Sequence, residues 1–260
     1  MDMATSGSLD GACGTRTWRD PLRWLLAPWT LLVFFPLVAL TTAFWGLVTM
    51  AVALASPRAA FHSGVAWARG LCWTSFVGVR VEGRAHAEPG RSYVIMANHQ
   101  GNYDILALYG FLGRQFRWVM KQELRKVPFL GPACAAIGHV FVDRRDPQRA
   151  IASLEAAKPR LAGGVSVLFF PEGTRSADGR LLPFKKGGFV MARQLGFPIL
   201  PVTLSGSRRI LPKGCLFPRP GWVTIRFHPV LDPIDFPNDG ALIAAVRAAI
   251  ASGLEPSRDG

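Results

Sequence analysis

A histidine and an aspartate five positions apart lie in the stretch Asn98-His99-Gln100-Gly101-Asn102-Tyr103-Asp104, directly after an apolar run that ends at Ala97. On one regular helix His99 and Asp104 would stand about 140° out of phase at ~3.6 residues per turn, too far apart to meet. Gly101-Asn102 interrupts the backbone between them, so a turn leading from a strand into a helix can fold the Asp104 carboxylate back onto one imidazole nitrogen. The other nitrogen then faces a substrate, and Asp104 fixes the tautomer and stabilises the imidazolium that forms when His99 accepts a proton. That is the logic of a triad whose nucleophile belongs to the substrate. The bland alternative is an Asp104 that caps a helix beside a hydrogen-bonded His99, and the pair alone does not displace it.

A second strand end shifts the weight. Val167-Leu168-Phe169-Phe170 runs into Pro171-Glu172-Gly173-Thr174-Arg175-Ser176, where Pro171 stops the ladder and Gly173 opens the backbone. Arg175 offers a planar fork for a phosphate, and amides near Gly173-Thr174 add donors. The alternative is a solvated turn in which Arg175 pairs with Glu172 or Asp178, worth little in water. Ligands of open α/β sheets gather beyond the carboxyl ends of strands, so this loop and the His99 turn face one crevice if their strands run parallel. Phe141-Val142-Asp143-Arg144-Arg145 ends a third strand, and Phe184-Lys185-Lys186-Gly187-Gly188 precedes a helix where an anion can sit.

The elements that must hold these residues follow from length and pattern. The chain has 260 residues, is 50% hydrophobic and only 18% charged, which excludes disordered, collagenous and coiled-coil classes. Beyond residue 75, short β-branched or aromatic runs alternate with helical stretches. They predict strands over Phe76 to Val81, Tyr93 to Ala97, Phe116 to Met120, Val140 to Val142, Val165 to Phe170, Ile199 to Leu204 and Val223 to Phe227. Asp146-Pro147 starts a helix carrying Ile151 and Leu154. Asn238 or Asp239 caps a last one, where Leu242, Val246, Ile250 and Leu254 recur every fourth position. The expected fold is α/β, a mixed, largely parallel central sheet flanked by helices, behind an N-terminal hydrophobic helix pair.

That pair comes from Trp24 to Pro57, 34 positions without a charge. One straight helix of that length would run about 51 Å, well beyond a ~30 Å hydrocarbon core. Pro28 and Pro36 interrupt the run, and Arg16, Arg19 and Arg23 before it and Arg58 and Arg69 after it bracket both ends with positive charge. Positive flanks stay cytoplasmic, so both ends lie on one side, as in a helical hairpin or a re-entrant pair dipping into one leaflet. A tilted single span and a buried core helix pair are the rivals. Ala53-Leu54-Ala55 mimics a signal-peptide cleavage site, but the apolar stretch far exceeds a ~7–15 residue signal core. The domains expected are a basic polar segment over 1–23, anchoring helices over 24–75, an α/β catalytic domain over 76–255 and a tail over 256–260.

Lys and Arg total 30 against 17 Asp and Glu, a net charge of +13 that draws the chain to phosphate-rich partners. Nucleic acid is set aside, since there is no zinc finger, RNA-binding aromatic signature or Walker loop. Cys13, Cys72, Cys134 and Cys215 show no CxxC pair or metal-ligand spacing, which predicts neither a disulfide framework nor a metal site and fits a reducing compartment. Cys134, among small residues, reads as helix packing rather than a nucleophile.

Four ordered motifs resemble those of the glycerolipid acyltransferases, specifically bacterial 1-acyl-sn-glycerol-3-phosphate acyltransferases. They are HX4D at His99 to Asp104, KxELxxxPxxG from Lys121 through Pro128 to Gly131 leading on to Arg144, FPEGTRS at Phe170 to Ser176, and Ile199-Leu200-Pro201-Val202. The resemblance implies His99 as general base and Asp104 as its orienting partner. It implies Glu172, Gly173, Thr174 and Arg175 as a glycerol-phosphate loop, Lys121 and Arg144 as further phosphate contacts, and Pro201 on the acyl-donor side. It also implies acyl transfer from acyl-CoA or acyl-carrier protein to the sn-2 hydroxyl of lysophosphatidic acid, without cofactor, metal or acyl-enzyme. The setting it implies is the cytoplasmic face of the inner membrane among membrane lipids. The same chemistry on another lysophospholipid, glycerol 3-phosphate or a lyso-ornithine lipid is the nearest alternative. A non-enzymatic basic membrane protein binding anionic lipid is the alternative of a different class.

Overall fold

The computed structural model describes residues 25–143 and 163–254, with 21, 153 and 156–161 besides. Arg144, the Asp146-Pro147 helix start, most of the 1–23 segment and the 256–260 tail lie outside the described residues.

The uncharged run forms one helix, α1 (Ala27–Ala55), about 43 Å long at ~1.5 Å per residue, with a mean hydropathy of 2.2 in its most apolar window. The expected interruption at the prolines does not occur. Pro28 stands in the first turn, where no intrahelical donor is lost. Just before Pro36 the helix widens to a π turn over Thr30–Phe34, closed by the Phe35 N–H on the Thr30 carbonyl, which accommodates the following ring. The chain folds back only at Ser56, an extended residue whose Oγ accepts from the Ala59 N–H at 3.2 Å ahead of Pro57. The second arm, α2 (Pro57–Thr74), is therefore not part of the uncharged run. It carries Arg58 and Arg69, and it buries Ala60, Phe61, Ala68, Leu71 and Cys72 on the inner side. Trp67 Nε1 donates to Thr42 Oγ1 at 3.1 Å to tie the two arms, and Arg69 Nε donates to the Gly110 carbonyl at 2.7 Å to tie α2 inward.

All seven expected strands form, within one to two residues of the expected bounds: β1 (Val77–Glu82), β2 (Val94–Ala97), β3 (Phe116–Lys121), β4 (Val140–Val142), β5 (Ser166–Phe169), β6 (Ile199–Ser205) and β7 (Gly221–Phe227). Helices α3 (Tyr103–Phe111), α4 (Leu130–Ile137), α5 (Gly187–Leu195), α6 (Ser207–Ile210) and α7 (Asp239–Ser252) connect or follow them. Asn238 caps α7, its Oδ1 accepting from the Ala241 N–H at 3.0 Å. The sheet order is β1-β7-β6-β2-β5-β3-β4, parallel throughout except between β6 and β7. Strands β2, β5 and β6 are buried along their whole length, as parallel strands covered by helices on both faces must be. One core lies between the sheet and α2/α3, the other between the sheet and α5/α7.

Asn98, one residue beyond β2, continues the β2–β6 seam with its side chain. Nδ2 donates to the Leu204 carbonyl at 2.9 Å and Oδ1 accepts the Leu204 N–H at 2.7 Å. Asn98→Ala leaves both Leu204 groups buried without these partners. The expected result is a loss of about 2–4 kcal/mol of stability, read as a lower denaturant midpoint at unchanged slope. A midpoint equal to wild type would remove Asn98 from the supports of the site.

Candidate active site

β2, β5 and β3 are adjacent and parallel, so the segments that leave their carboxyl ends emerge together. The His99 turn follows β2, Phe170 to Arg175 follows β5, and Lys121 is the last residue of β3. His99, Asn102, Lys121, Phe170, Gly173, Thr174 and Arg175 all line one cleft of about 340 Å³. Ile105, Trp118, Met120 and Leu124 supply its apolar wall.

The turn brings the two predicted partners together. His99 Nδ1 is 2.8 Å from Asp104 Oδ2. The same carboxylate oxygen accepts the N–H groups of Gln100 at 2.6 Å and Gly101 at 2.9 Å, and Asp104 is wholly buried in the first turn of α3. An acceptor-only carboxylate requires the proton on Nδ1, which leaves the Nε2 lone pair as the free side of the ring. Gly101 is needed because a Cβ there would lie 2.7 Å from the Ser207 carbonyl oxygen. The imidazole stacks on the Phe170 ring, centroids 3.9 Å apart and planes within 7°. Phe170 in turn packs against Trp118 at 5.5 Å. The Trp118 backbone is held by His139, whose Nδ1 accepts the Trp118 main-chain N–H at 3.1 Å while Nε2 meets the Tyr109 hydroxyl at 3.1 Å. Burial pushes His139 down to about 3, so it serves as a neutral bracket.

The loop after β5 divides its residues between two tasks. Gly173, with φ of +71°, makes the turn that exposes Thr174 and Arg175 to the cleft. Arg175 Nη1 donates to Asn102 Oδ1, so this cation pairs with neither Glu172 nor Asp178. Glu172 departs from the expectation of a substrate contact. It is 3% exposed and turned inward, Oε1 accepting the His99 N–H at 2.7 Å and Oε2 the Leu182 N–H at 2.8 Å. The Ser176 N–H donates to the His99 carbonyl at 2.8 Å, so the loop grips both backbone polar groups of the histidine. Burial raises the Glu172 carboxyl above its ordinary range, against the donors of Leu182 and His99 that lower it. Pro201 is buried within β6 opposite Met96, and it does not line this cleft.

Asn98, Asn102, Trp118, His139 and Phe170 had not been singled out from sequence for these roles. Asn98 and Asn102 carried a signal by their place in the His99 stretch and Phe170 by its place at the head of the loop motif, whereas Trp118 and His139 carried none. Cys134, in α4, has its thiol pushed up to about 12 by burial, which suits packing and not nucleophilic attack. Cys72 is a free thiol as well.

Residues 78–205 match the family model described as Acyltransferase. The chain is 38% identical over 183 residues to a 1-acyl-sn-glycerol-3-phosphate acyltransferase of Chlamydomonas reinhardtii, covering 70% of this chain but 54% of that protein. So the chain spans about half the length of this relative. It is 33% identical over 225 residues to a 1-acyl-sn-glycerol-3-phosphate acyltransferase of Limnanthes douglasii, covering 83% of this chain and 77% of the relative. The crystal structure of the 1-acyl-sn-glycerophosphate acyltransferase PlsC from Thermotoga maritima superposes with a TM-score of 0.77 at 28% identity, over 89% of this chain and 95% of that one. By sequence, by fold and by what its strand ends bring together, the chain belongs to the acyltransferase family that contains the 1-acyl-sn-glycerol-3-phosphate acyltransferases.

Proposed function

We propose that the chain transfers a fatty acyl group from acyl-CoA or acyl-carrier protein to the sn-2 hydroxyl of 1-acyl-sn-glycerol 3-phosphate, giving phosphatidic acid. The observation that carries this reading is the His99 ring, bound through Nδ1 to a buried carboxylate beside a cleft that also presents Arg175 and Lys121. Nε2 takes the hydroxyl proton as the lysolipid oxygen attacks the thioester carbonyl. The tetrahedral intermediate collapses by breaking its C–S bond, and the imidazolium returns the proton to the departing thiolate. Both substrates meet directly, with no acyl-enzyme and no cofactor, because the thioester supplies the driving force. Arg175 receives the phosphate of the acceptor as a planar fork, with Lys121 adding charge from the end of β3 and Arg144 nominated by its motif. Trp118, Met120, Ile105 and Leu124 give an acyl chain an apolar wall.

The setting proposed is the cytoplasmic face of the inner membrane, with α1 in one leaflet. A lysolipid already resides there, and moving its chain into water would cost about 0.8 kcal/mol per CH₂. The test is to incubate the purified full chain with a panel of lysolipids, glycerol 3-phosphate and both thioester donors, and to identify products by mass. Phosphatidic acid is expected from the lysophosphatidate reaction, well above any product of uncharged or zwitterionic acceptors. A preference for another acceptor would reassign the substrate, and no acylated product from any combination would refute the enzyme.

A further inference from the structure

The sheet reverses direction once, between β6 and β7, and that reversal decides what surrounds the catalytic end of the molecule. Ser205 at the end of β6 pairs with Thr224, so β7 begins where β6 finishes. β1 runs parallel to β7, with Val77 opposite Gly221. The chain therefore enters both outer strands at the end from which His99 leaves β2. β1 lies three strands from β2, about 14 Å away at ~4.8 Å per strand.

Large apolar side chains stand exposed at those entries. Trp73 and Phe76 precede β1, Trp222 is the second residue of β7, and Leu216 is in the loop before it. All four are between 57% and 68% exposed. The Leu216 loop abuts the catalytic turn, since Gly101 bridges Pro212 and the Asn102 N–H donates to the Leu211 carbonyl at 3.3 Å. Phe76 is held outward in a conformation that bulky L-residues rarely adopt, φ +57°. Its N–H donates to the Trp73 carbonyl and its carbonyl accepts from the Gly221 N–H. Its ring meets Trp29 of α1 at 6.2 Å, so this patch continues into the exposed start of the uncharged helix. The Arg80 guanidinium lies 4.5 Å from the Trp222 ring centroid.

We propose that Trp73, Phe76, Leu216 and Trp222 form a rim that docks on an anionic bilayer leaflet and sets the depth at which the catalytic end meets it. The proposal rests on the reading of the site as one that acts on membrane lysolipid. Exposed Trp and Phe with Arg alongside is the composition of a membrane–water boundary, where an aromatic ring enters the headgroup layer and the cation stays with phosphate. Continuity with α1 extends one apolar surface across two separate elements, and the net charge of +13 complements an anionic leaflet. A phenylalanine at positive φ strains the isolated fold and leaves most of its ring in water, whereas it places that ring where a bilayer can take it.

The test uses the full chain and phosphatidylglycerol–phosphatidylcholine vesicles without lysolipid or acyl donor. Phe76→Gly combined with Trp222→Ser is expected to lower the vesicle partition coefficient by roughly tenfold, from the two rings no longer buried. The thermal midpoint of Phe76→Gly alone is expected to stay level or rise, because glycine accepts a positive φ without strain. That separates lost docking from lost folding. Lipids brominated near the headgroup are expected to quench tryptophan emission less in Trp222→Phe than in wild type. Unchanged partition by a folded double variant would overturn the rim, as would a self-associated wild type that becomes monomeric on these substitutions. An intact partition shift in a protein that acylates no lysolipid would support the rim and remove the reading of the site.

Discussion

His99→Ala is expected to lower the rate of acyl transfer by about 10²–10⁴-fold, the usual share of a positioned general base. At 1.36 kcal/mol per tenfold this is roughly 3–5 kcal/mol of barrier. The size follows from how completely the base is prepared before substrate arrives. Asp104 Oδ2 gathers the His99 ring and two backbone N–H groups at 2.6–2.9 Å in a wholly buried position, so neither tautomer nor carboxylate must be reorganised during reaction. Phe170 holds the ring plane from the side. Removing the imidazole takes away proton acceptance at the alcohol and proton return at the thiolate, but leaves Arg175 and Lys121 in the cleft. The KM for lysophosphatidate is therefore expected to change far less than kcat. Thiol release and diacyl product, followed together on purified variant, give the answer. Turnover near that of wild type would refute the assignment of His99.

The second large effect is expected at Glu172, by a different route. If this carboxylate bound substrate, replacing it would raise KM. Its geometry assigns it to the histidine instead, one oxygen on the His99 N–H and the other on the Leu182 N–H, so it acts as a positioning residue. Glu172→Ala orphans two buried donors at about 1–3 kcal/mol each, and is expected to cost about 10²-fold in kcat with KM for lysophosphatidate within about twofold. Glu172→Gln keeps one acceptor and is expected to recover about a tenth or more of the wild-type rate. A KM that climbs while kcat holds would return Glu172 to the substrate. A pH signature goes with it. Burial raises the folded-state value of this carboxyl, so the folded chain holds its proton more tightly than the unfolded chain. Its contribution to stability is then fully present below the unfolded value and is lost as pH rises through the raised one. Melting curves across the acid range should show that fall flattened in Glu172→Gln.

Much of this molecule is written locally. Each strand is a short apolar or β-branched run bounded by polar residues, glycine or proline, and such runs prefer an extended backbone wherever they are placed. The His99–Asp104 contact was legible for a similar reason, since a turn spanning five positions with Gly101 inside it can close on itself. The Arg175 loop joined it through one general property of parallel sheets, that segments leaving adjacent strands share an end.

What stayed hidden depends on partners far away in the chain. The inward turn of Glu172 requires the backbone of His99, 73 residues away, and the bond of Asn98 requires Leu204, 106 residues away. No residue type announces such a choice, because a carboxylate or an amide bonds equally well to water. The proline reading of the apolar run failed because a π turn absorbs locally what the one-letter pattern presents as a break, and the fold-back was left to Ser56. Local pattern by itself determined an α/β fold behind an apolar N-terminal helix, with a histidine and an aspartate able to meet across one turn. Only tertiary structure decided which side chains hold that histidine, and which exposed rings the reversed strands carry to its end of the sheet. Local preferences act within a few bonds, whereas strand direction and the burial of a polar group are settled by the whole chain at once.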